Sequence, residues 1–179
     1  MILGPKKLLE LVEKENLVEG LAERELTNPE GAGFDLRVGE VYSIHGEGFL
    51  GETERKTPDI KLVVAYQEGE KRSITIQPNE FYLFKTIEKV NTPQNLTINF
   101  KPRSTTFRSG LFIRTGNVAP GYRGPLVFGV KNEGPVPVTI EMGARIIHAQ
   151  FEEVSGGGNM YRGQWQGGRV SATQKETQV

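Results

Sequence analysis

The rhythm of glycine, proline and asparagine along the chain constrains its fold more than any other feature. From Leu96 to Glu152, short alternating runs are broken by such residues every eight to twelve positions. Gly and Pro end strands because one permits positive φ and the other lacks an N–H donor. The spacing therefore predicts an all-β architecture, a sandwich, barrel or jelly roll. Strands are expected around Phe34–Val38, Lys61–Tyr66, Arg72–Ile76, Phe81–Val90, Leu96–Phe100, Leu111–Ile113, Pro125–Val130, Val136–Glu141 and Ala144–Glu152. A short helix is expected over residues 5–16, with Pro5 at its first position and Leu8, Leu11 and Val12 on one face. The segment from Tyr42 to Lys71 is polar and broken, and reads as a hairpin excursion. With 179 residues, the chain divides into one β domain, 1–154, and a tail, 155–179. The Ser155–Gly158 segment acts as a flexible hinge between them, and the polar end of the tail is expected to be disordered.

Composition removes several classes of chemistry. There is no cysteine, which excludes disulfides, thiol nucleophiles and thiolate-bound zinc. His45 and His148 are the only histidines, so a zinc nucleobase deaminase with its His/Cys ligand set is excluded too. Any metal is expected to be a hard cation on oxygen ligands. No run of about 18 apolar residues is present to span a membrane. The N-terminal segment is too rich in Lys and Glu for a secretory signal, and a cytoplasmic location is expected. Formal net charge is zero and no aromatic RNA-binding motif is seen, which argues against a nucleic-acid partner.

Charge is nevertheless segregated. Lys101–Gly124 holds five Lys or Arg residues and no carboxylate. That imbalance points to an anion site. Within it, Arg103-Ser104-Thr105-Thr106-Phe107-Arg108 supplies guanidinium and hydroxyl donors suited to phosphate oxygens. A solvated edge strand is the plainer alternative. The next stretch, Gly116-Asn117-Val118-Ala119-Pro120-Gly121-Tyr122, shapes a tight hairpin whose backbone a flat ligand could approach, with Tyr122 to stack on it. Asp35, between Phe34 and Leu36, is either a surface residue, paired with Arg37 or unpaired, or an outer contact to a hydrated cation on a polyphosphate. His148 lies in an apolar strand, where a histidine is more often structural than basic. The tail carries Tyr161, Arg162, Gln164, Trp165, Gln166 and Arg169 close together, the pattern of a lid that orders over a ligand.

Taken in order, GAGFDLRVG, PRSTTFRSG, GNVAPGYRG, GARIIHAQF and the Gly-rich tail resemble the superfamily of dUTP diphosphatases and dCTP deaminases. The resemblance covers about residues 30 to 170 and is closest to archaeal dUTPases classed with the deaminases. It implies a distorted β-barrel or jelly roll assembled as a homotrimer, with sites between subunits. It also implies that Arg103, Ser104, Thr105 and Arg108 hold the triphosphate, with Tyr122 beneath the deoxyribose. The hairpin at Thr115, Gly116 and Asn117 would read the pyrimidine. Tyr161, Gln164, Gln166 and Arg169 would belong to a tail closing over the nucleotide. Mg²⁺ would bridge the phosphates, with Asp35 as its outer-sphere contact.

Two positions depart from that pattern. Deaminases of this kind carry a glutamate five residues after the closing glycine of the hairpin turn, as acid/base for attack on cytosine. Counting from Gly124, that position is Gly129, and no carboxylate lies between Lys89 and Asn132. In dUTPases an aspartate three residues before the hairpin tyrosine orients the attacking water; here that position is Ala119. General-base assistance is worth roughly 10²–10⁴-fold, so the loss matters. Asp35 and His148 are the candidates to replace it. The expectation is a Mg²⁺-dependent dUTP diphosphatase. A non-catalytic nucleotide-binding protein is the first alternative, and a deaminase or bifunctional enzyme the second.

Overall fold

The computed structural model describes residues 1–178. In chain order the elements are α1 (Pro5–Glu15), β1 (Val18–Glu19), α2 (Glu23–Thr27), β2 (Phe34–His45), β3 (Phe49–Leu50), β4 (Glu54–Lys56), β5 (Asp59–Ala65), β6 (Ser73–Ile76), β7 (Phe81–Asn91), β8 (Leu96–Pro102), α3 (Ser104–Arg108), β9 (Leu111–Arg114), β10 (Arg123–Asn132), β11 (Val138–Glu141), β12 (Arg145–Glu153) and β13 (Glu176–Thr177). The all-β expectation is borne out. Six strands follow the order β8-β12-β2-β7-β10-β9, with β1 added on β7 and β5 on β2, in a barrel-like sheet. No helix among the described residues is long and apolar enough to cross a membrane.

Strand β2 makes this curvature possible. Its first half pairs with β12 and its second half with β7 and β5. The switch falls at Gly39, where the register against β7 shifts between Val38 and Glu40. A Cβ on Gly39 would lie 2.9 Å from the Ile87 backbone nitrogen, so only glycine lets the bulged strand approach β7 this closely.

The core lies between the folded halves of the sheet. Phe34, Leu36, Phe84, Ile98, Ile147 and Phe151 are fully buried, and Phe34 meets Phe151 edge to face at 6.0 Å. Strand β7 keeps its alternation but places polar side chains on the inward face: Thr86 and Glu88 lie between Phe84 and Val90. Both are satisfied. Thr86 accepts from the Leu126 N–H at 2.9 Å, and Glu88 accepts from Arg37 Nε at 2.6 Å and from the Arg37 backbone N–H at 2.8 Å. Arg37 is thus the partner of Glu88 and not of Asp35. Helix α1 ends at Asn16 in the left-handed conformation, whose N–H bonds back to Leu11 and Val12 carbonyls. Leu8 seats the helix in the core.

One alternative and one expectation give way to the packing. The RSTTFR segment is a helical turn, α3, and not an edge strand, because Ser109 N–H returns to Thr105 O at 3.0 Å and Thr106 Oγ1 donates to Ile146 O. The tail is docked along its length rather than disordered at its end: β13 pairs with β4, forming a three-stranded sheet with β3. Ala172 is fully buried, and its N–H donates to Thr57 Oγ1 at 2.7 Å. Val179 lies outside the described residues.

Two measurements check this packing. Phe84→Ala is expected to lower unfolding free energy by about 3–5 kcal/mol in chemical denaturation, as a large buried ring leaves a cavity. Ala172→Glu is expected to lift the tail and red-shift the emission of Trp165, the sole tryptophan. Unchanged emission would show that Ala172 does not hold the tail.

Candidate functional site

The residues singled out from sequence gather in two places. The first is a cavity of about 490 Å³ whose walls include Phe81, Leu83, Phe100, Leu126 and Phe128 from the sheet. The hairpin contributes Gly116, Asn117, Val118, Ala119 and Tyr122, and the tail contributes Tyr161, Trp165 and Arg169. Thr115 lines a smaller polar cavity beside it, with Asn99, Lys101 and Gln150; the two cavities share Phe100, Gly116 and Asn117.

The hairpin is fixed by pairing. Val118 exchanges both backbone hydrogen bonds with Ile98, at 2.9 and 3.1 Å. Gly121 N–H donates to Thr92 O, and Tyr122 Oη donates to Pro125 O at 2.6 Å. Burial pushes the Tyr122 phenol up to about 12, so it stays neutral at physiological pH. Its ring meets Tyr161 edge to face at 5.4 Å. The tail reaches the hairpin because glycines meet there. A Cβ on Gly124, at φ +132°, would lie 2.7 Å from the carbonyl carbon of Gly167.

Gln164 and Gln166 are not among the cavity-lining residues; they fasten the tail. Gln166 accepts from the Arg123 N–H at 2.9 Å and donates to Gly121 O at 3.1 Å, and Gln164 donates to Thr177 O at 3.0 Å. Trp165, noted in the tail but not assigned a site role, is a wall residue with the Arg55 guanidinium 5.4 Å from its ring centre. Arg169 lines the cavity and also pairs with Glu176.

At Gly129 an aromatic ring fills the space a side chain would take. A Cβ there would lie 2.9 Å from Phe81 Cζ. None of the described residues lining the cavity is Asp, Glu or His, and Arg169 is the one charged residue among them.

The second cluster surrounds Asp35. Strand register sets His148 directly opposite Asp35, and His148 Nδ1 lies 3.0 Å from Asp35 Oδ1. Arg103 Nε and Arg145 Nη1 each lie 3.1 Å from Asp35 Oδ2. The Asp35 backbone N–H donates to Glu25 Oε2 at 3.0 Å, and Glu25, fully buried on α2, pairs with Arg24 at 2.8 Å. Burial pushes the Asp35 carboxyl up, but the His148 hydrogen bond and the Arg103, His148 and Arg145 charges outweigh it and hold it below the usual carboxylate range. Ser104, Thr105 and Arg108 follow on α3 and are exposed.

This geometry sets the surroundings of three assigned roles. Asp35 and His148 do not line the cavity, and each is engaged by the other, so neither is placed as a general base. Asp35 is also not arranged as a direct metal ligand. Both of its oxygens are occupied, its side chain is 6% exposed, and no group of three metal-ligating side chains exists among the described residues. Sequence reasoning missed Arg145 and Glu25, which complete the cluster, and Phe81. The only signals were a charge at the start of an apolar strand for Arg145 and an aromatic at a strand start for Phe81; Glu25, in the charged segment of α2, gave none.

A family model described as dCTP deaminase-like matches residues 2–154. The chain is 33% identical over 142 residues to a probable deoxyuridine 5'-triphosphate nucleotidohydrolase of Methanothermobacter thermautotrophicus, covering 79% of this chain and 89% of that one. It is 35% identical over 178 residues to a dCTP deaminase, dUMP-forming, of Persephonella marina, covering 94% and 93%. Against the dCTP deaminase of Pyrococcus furiosus identity is 30% over 169 residues, covering 94% and 96%. The solved 2'-deoxycytidine 5'-triphosphate deaminase of Agrobacterium tumefaciens shares the fold at a TM-score of 0.66 and 17% identity. That match covers 86% of this chain, which spans about half (48%) of that one. By family model, sequence and fold, this chain belongs to the dCTP deaminase-like family, whose members carry both dUTPase and dCTP deaminase names.

Proposed function

We propose that the chain is a dUTP diphosphatase, hydrolysing dUTP to dUMP and diphosphate. One observation carries this choice within the family: the cavity wall lacks a carboxylate, and Phe81 covers Gly129 where a deaminase of this pattern carries its glutamate. Deamination moves protons at the base, and none of the described residues lining this cavity is an Asp, Glu or His that would hold them. Phosphoryl transfer relies more on positioning and on cations that stabilise charge on the phosphates.

In this reading the hairpin and Tyr122 hold the base and deoxyribose, with Tyr161, Trp165 and Arg169 closing the opening. Tyr122 acts through its ring, since its hydroxyl is committed to Pro125. Arg103, Ser104, Thr105 and Arg108 take the triphosphate. Those donors share no wall residue with the cavity, which supports an arrangement in which one copy supplies the cavity and another the arginines. A homotrimer fits that arrangement. Magnesium enters as an ion carried by the triphosphate, and no residue of this chain is assigned as its ligand. The enzyme would act in cytoplasmic pyrimidine nucleotide metabolism.

A second reading, a nucleotide-binding protein without turnover, draws on the same missing carboxylate at Ala119. Incubation with dUTP and Mg²⁺ is expected to release dUMP and diphosphate, and incubation with dCTP to release no ammonia. Ammonia from dCTP would overturn the proposal. Nucleotide binding without product, with Ala119→Asp gaining roughly 10²-fold or more in hydrolysis, would favour the second reading. Light scattering is expected to give three times the 19.9 kDa chain mass.

A further inference from the structure

The Asp35 cluster is left without a catalytic role by its geometry, yet it places several charges in one half-buried volume. Arginine and carboxylate partners are costly to bury unless each is fully paired. Here the pairing converges on one carboxylate: Arg145 and His148 hydrogen-bond to it, and the Arg103 guanidinium forms an ion pair with it at 3.1 Å. Glu25 fixes the backbone of the same residue from α2 and lies 3.6 Å from Arg145. A carboxylate so engaged is a weak base and a poor metal ligand. It is well suited to holding a cation still.

We propose that Asp35 is a positioning residue for Arg103, with Arg145 and His148 as braces, and that it influences a bound triphosphate only through that arginine. The inference rests on the phosphate-binding role given to Arg103 above. Asp35 engages Arg103 at Nε, and Asp35 is the sole ion-pair partner of Arg103 among the described residues. The terminal nitrogens are thereby left for a second, bidentate partner, and the Arg103 side chain remains 25% exposed. The backbone is pinned as well. Arg103 N–H and Thr106 Oγ1 both donate to Ile146 O, at 3.3 and 3.1 Å, so α3 and the arginine are set by the strand that carries Arg145 and His148. Arg108, at the far end of α3, lies over its neighbour Phe107 and has no carboxylate partner among the described residues. The two arginines of one hexad thus differ in kind, one held in advance and one free. Pre-organisation raises affinity by removing the cost of ordering a long side chain on binding.

A double-mutant cycle on the full chain tests this, with calorimetric titration of dUTP in Mg²⁺ and again in EDTA. Asp35→Asn keeps the shape and removes the charge. It is expected to weaken dUTP binding by about tenfold in the wild-type background and by less than about twofold in Arg103→Ala. Binding of dUMP should change little, since it lacks the distal phosphates, whereas a general loosening of the fold would weaken both. If Asp35→Asn does not fold, Arg145→Gln is expected to show the same dependence on Arg103 to a smaller degree. Equal losses in both backgrounds would overturn the inference, as would a loss seen in Mg²⁺ but absent in EDTA, which would assign Asp35 to the metal. If wild type binds dUTP but the cycle is additive, only this inference falls. If wild type binds no triphosphate, the phosphate-binding role of Arg103 falls, and this inference with it.

Discussion

The backbone pairing of β2 is the constraint on which the molecule depends. A single strand of twelve residues bonds to β12 at one end and to β7 and β5 at the other, so it belongs to both halves of the folded sheet. A strand can change partners in this way only through a bulge and a bend. Gly39 supplies both, because the Ile87 backbone leaves no space for a Cβ. The two functional features then fall on opposite sides of that bend. The half paired with β12 brings Asp35 opposite His148, while the half paired with β7 sets out the strands whose neighbours line the cavity.

The buried charges follow from the same arrangement. Asp35, Glu25 and Glu88 are all within or behind the sheet, and each is met by an arginine: Arg103 and Arg145, Arg24, and Arg37 respectively. Pairs of this kind contribute little net stability over apolar packing, yet breaking one leaves a stranded charge. They serve instead to specify which strand lies against which. Arg37 ties β2 to β7 through Glu88, and Arg145 ties β12 to β2 through Asp35. The cluster that orients Arg103 is therefore also part of what closes the sheet.

The cavity has the opposite chemistry. Its sheet-borne walls are apolar, and its polar side chains come from a hairpin, a docked tail and Thr57. Backbone groups of a hairpin can distinguish a flat base without carrying charge, and aromatic walls suit its faces. The proposed choice of chemistry rests on Phe81 over Gly129, where a ring stands at the position expected to carry an acid. In the proposed function a cavity of this kind and an arginine cluster would complement each other, one for a base and sugar and the other for phosphates.

Several features were legible in the residues alone, for identifiable reasons. Alternation and Gly/Pro spacing report directly on strand period, so nearly every main strand stood near its expected place, and Pro5 and the apolar stripe marked α1. Tyr122, Gly116, Asn117, Tyr161 and Arg169, which the family resemblance grouped, line one cavity. Tertiary structure alone decided the rest. The inward turn of Thr86 and Glu88 depends on partners forty to fifty-one positions away in sequence, Leu126 and Arg37. The helical form of α3 depends on the Ile146 carbonyl, and the order of the tail on β4. Asp35 looked like a base or a metal contact because a carboxylate's role is set by what surrounds it. Only the register of β2 against β12 brings His148 and Arg145 to it, and no local pattern encodes a pairing across more than a hundred residues.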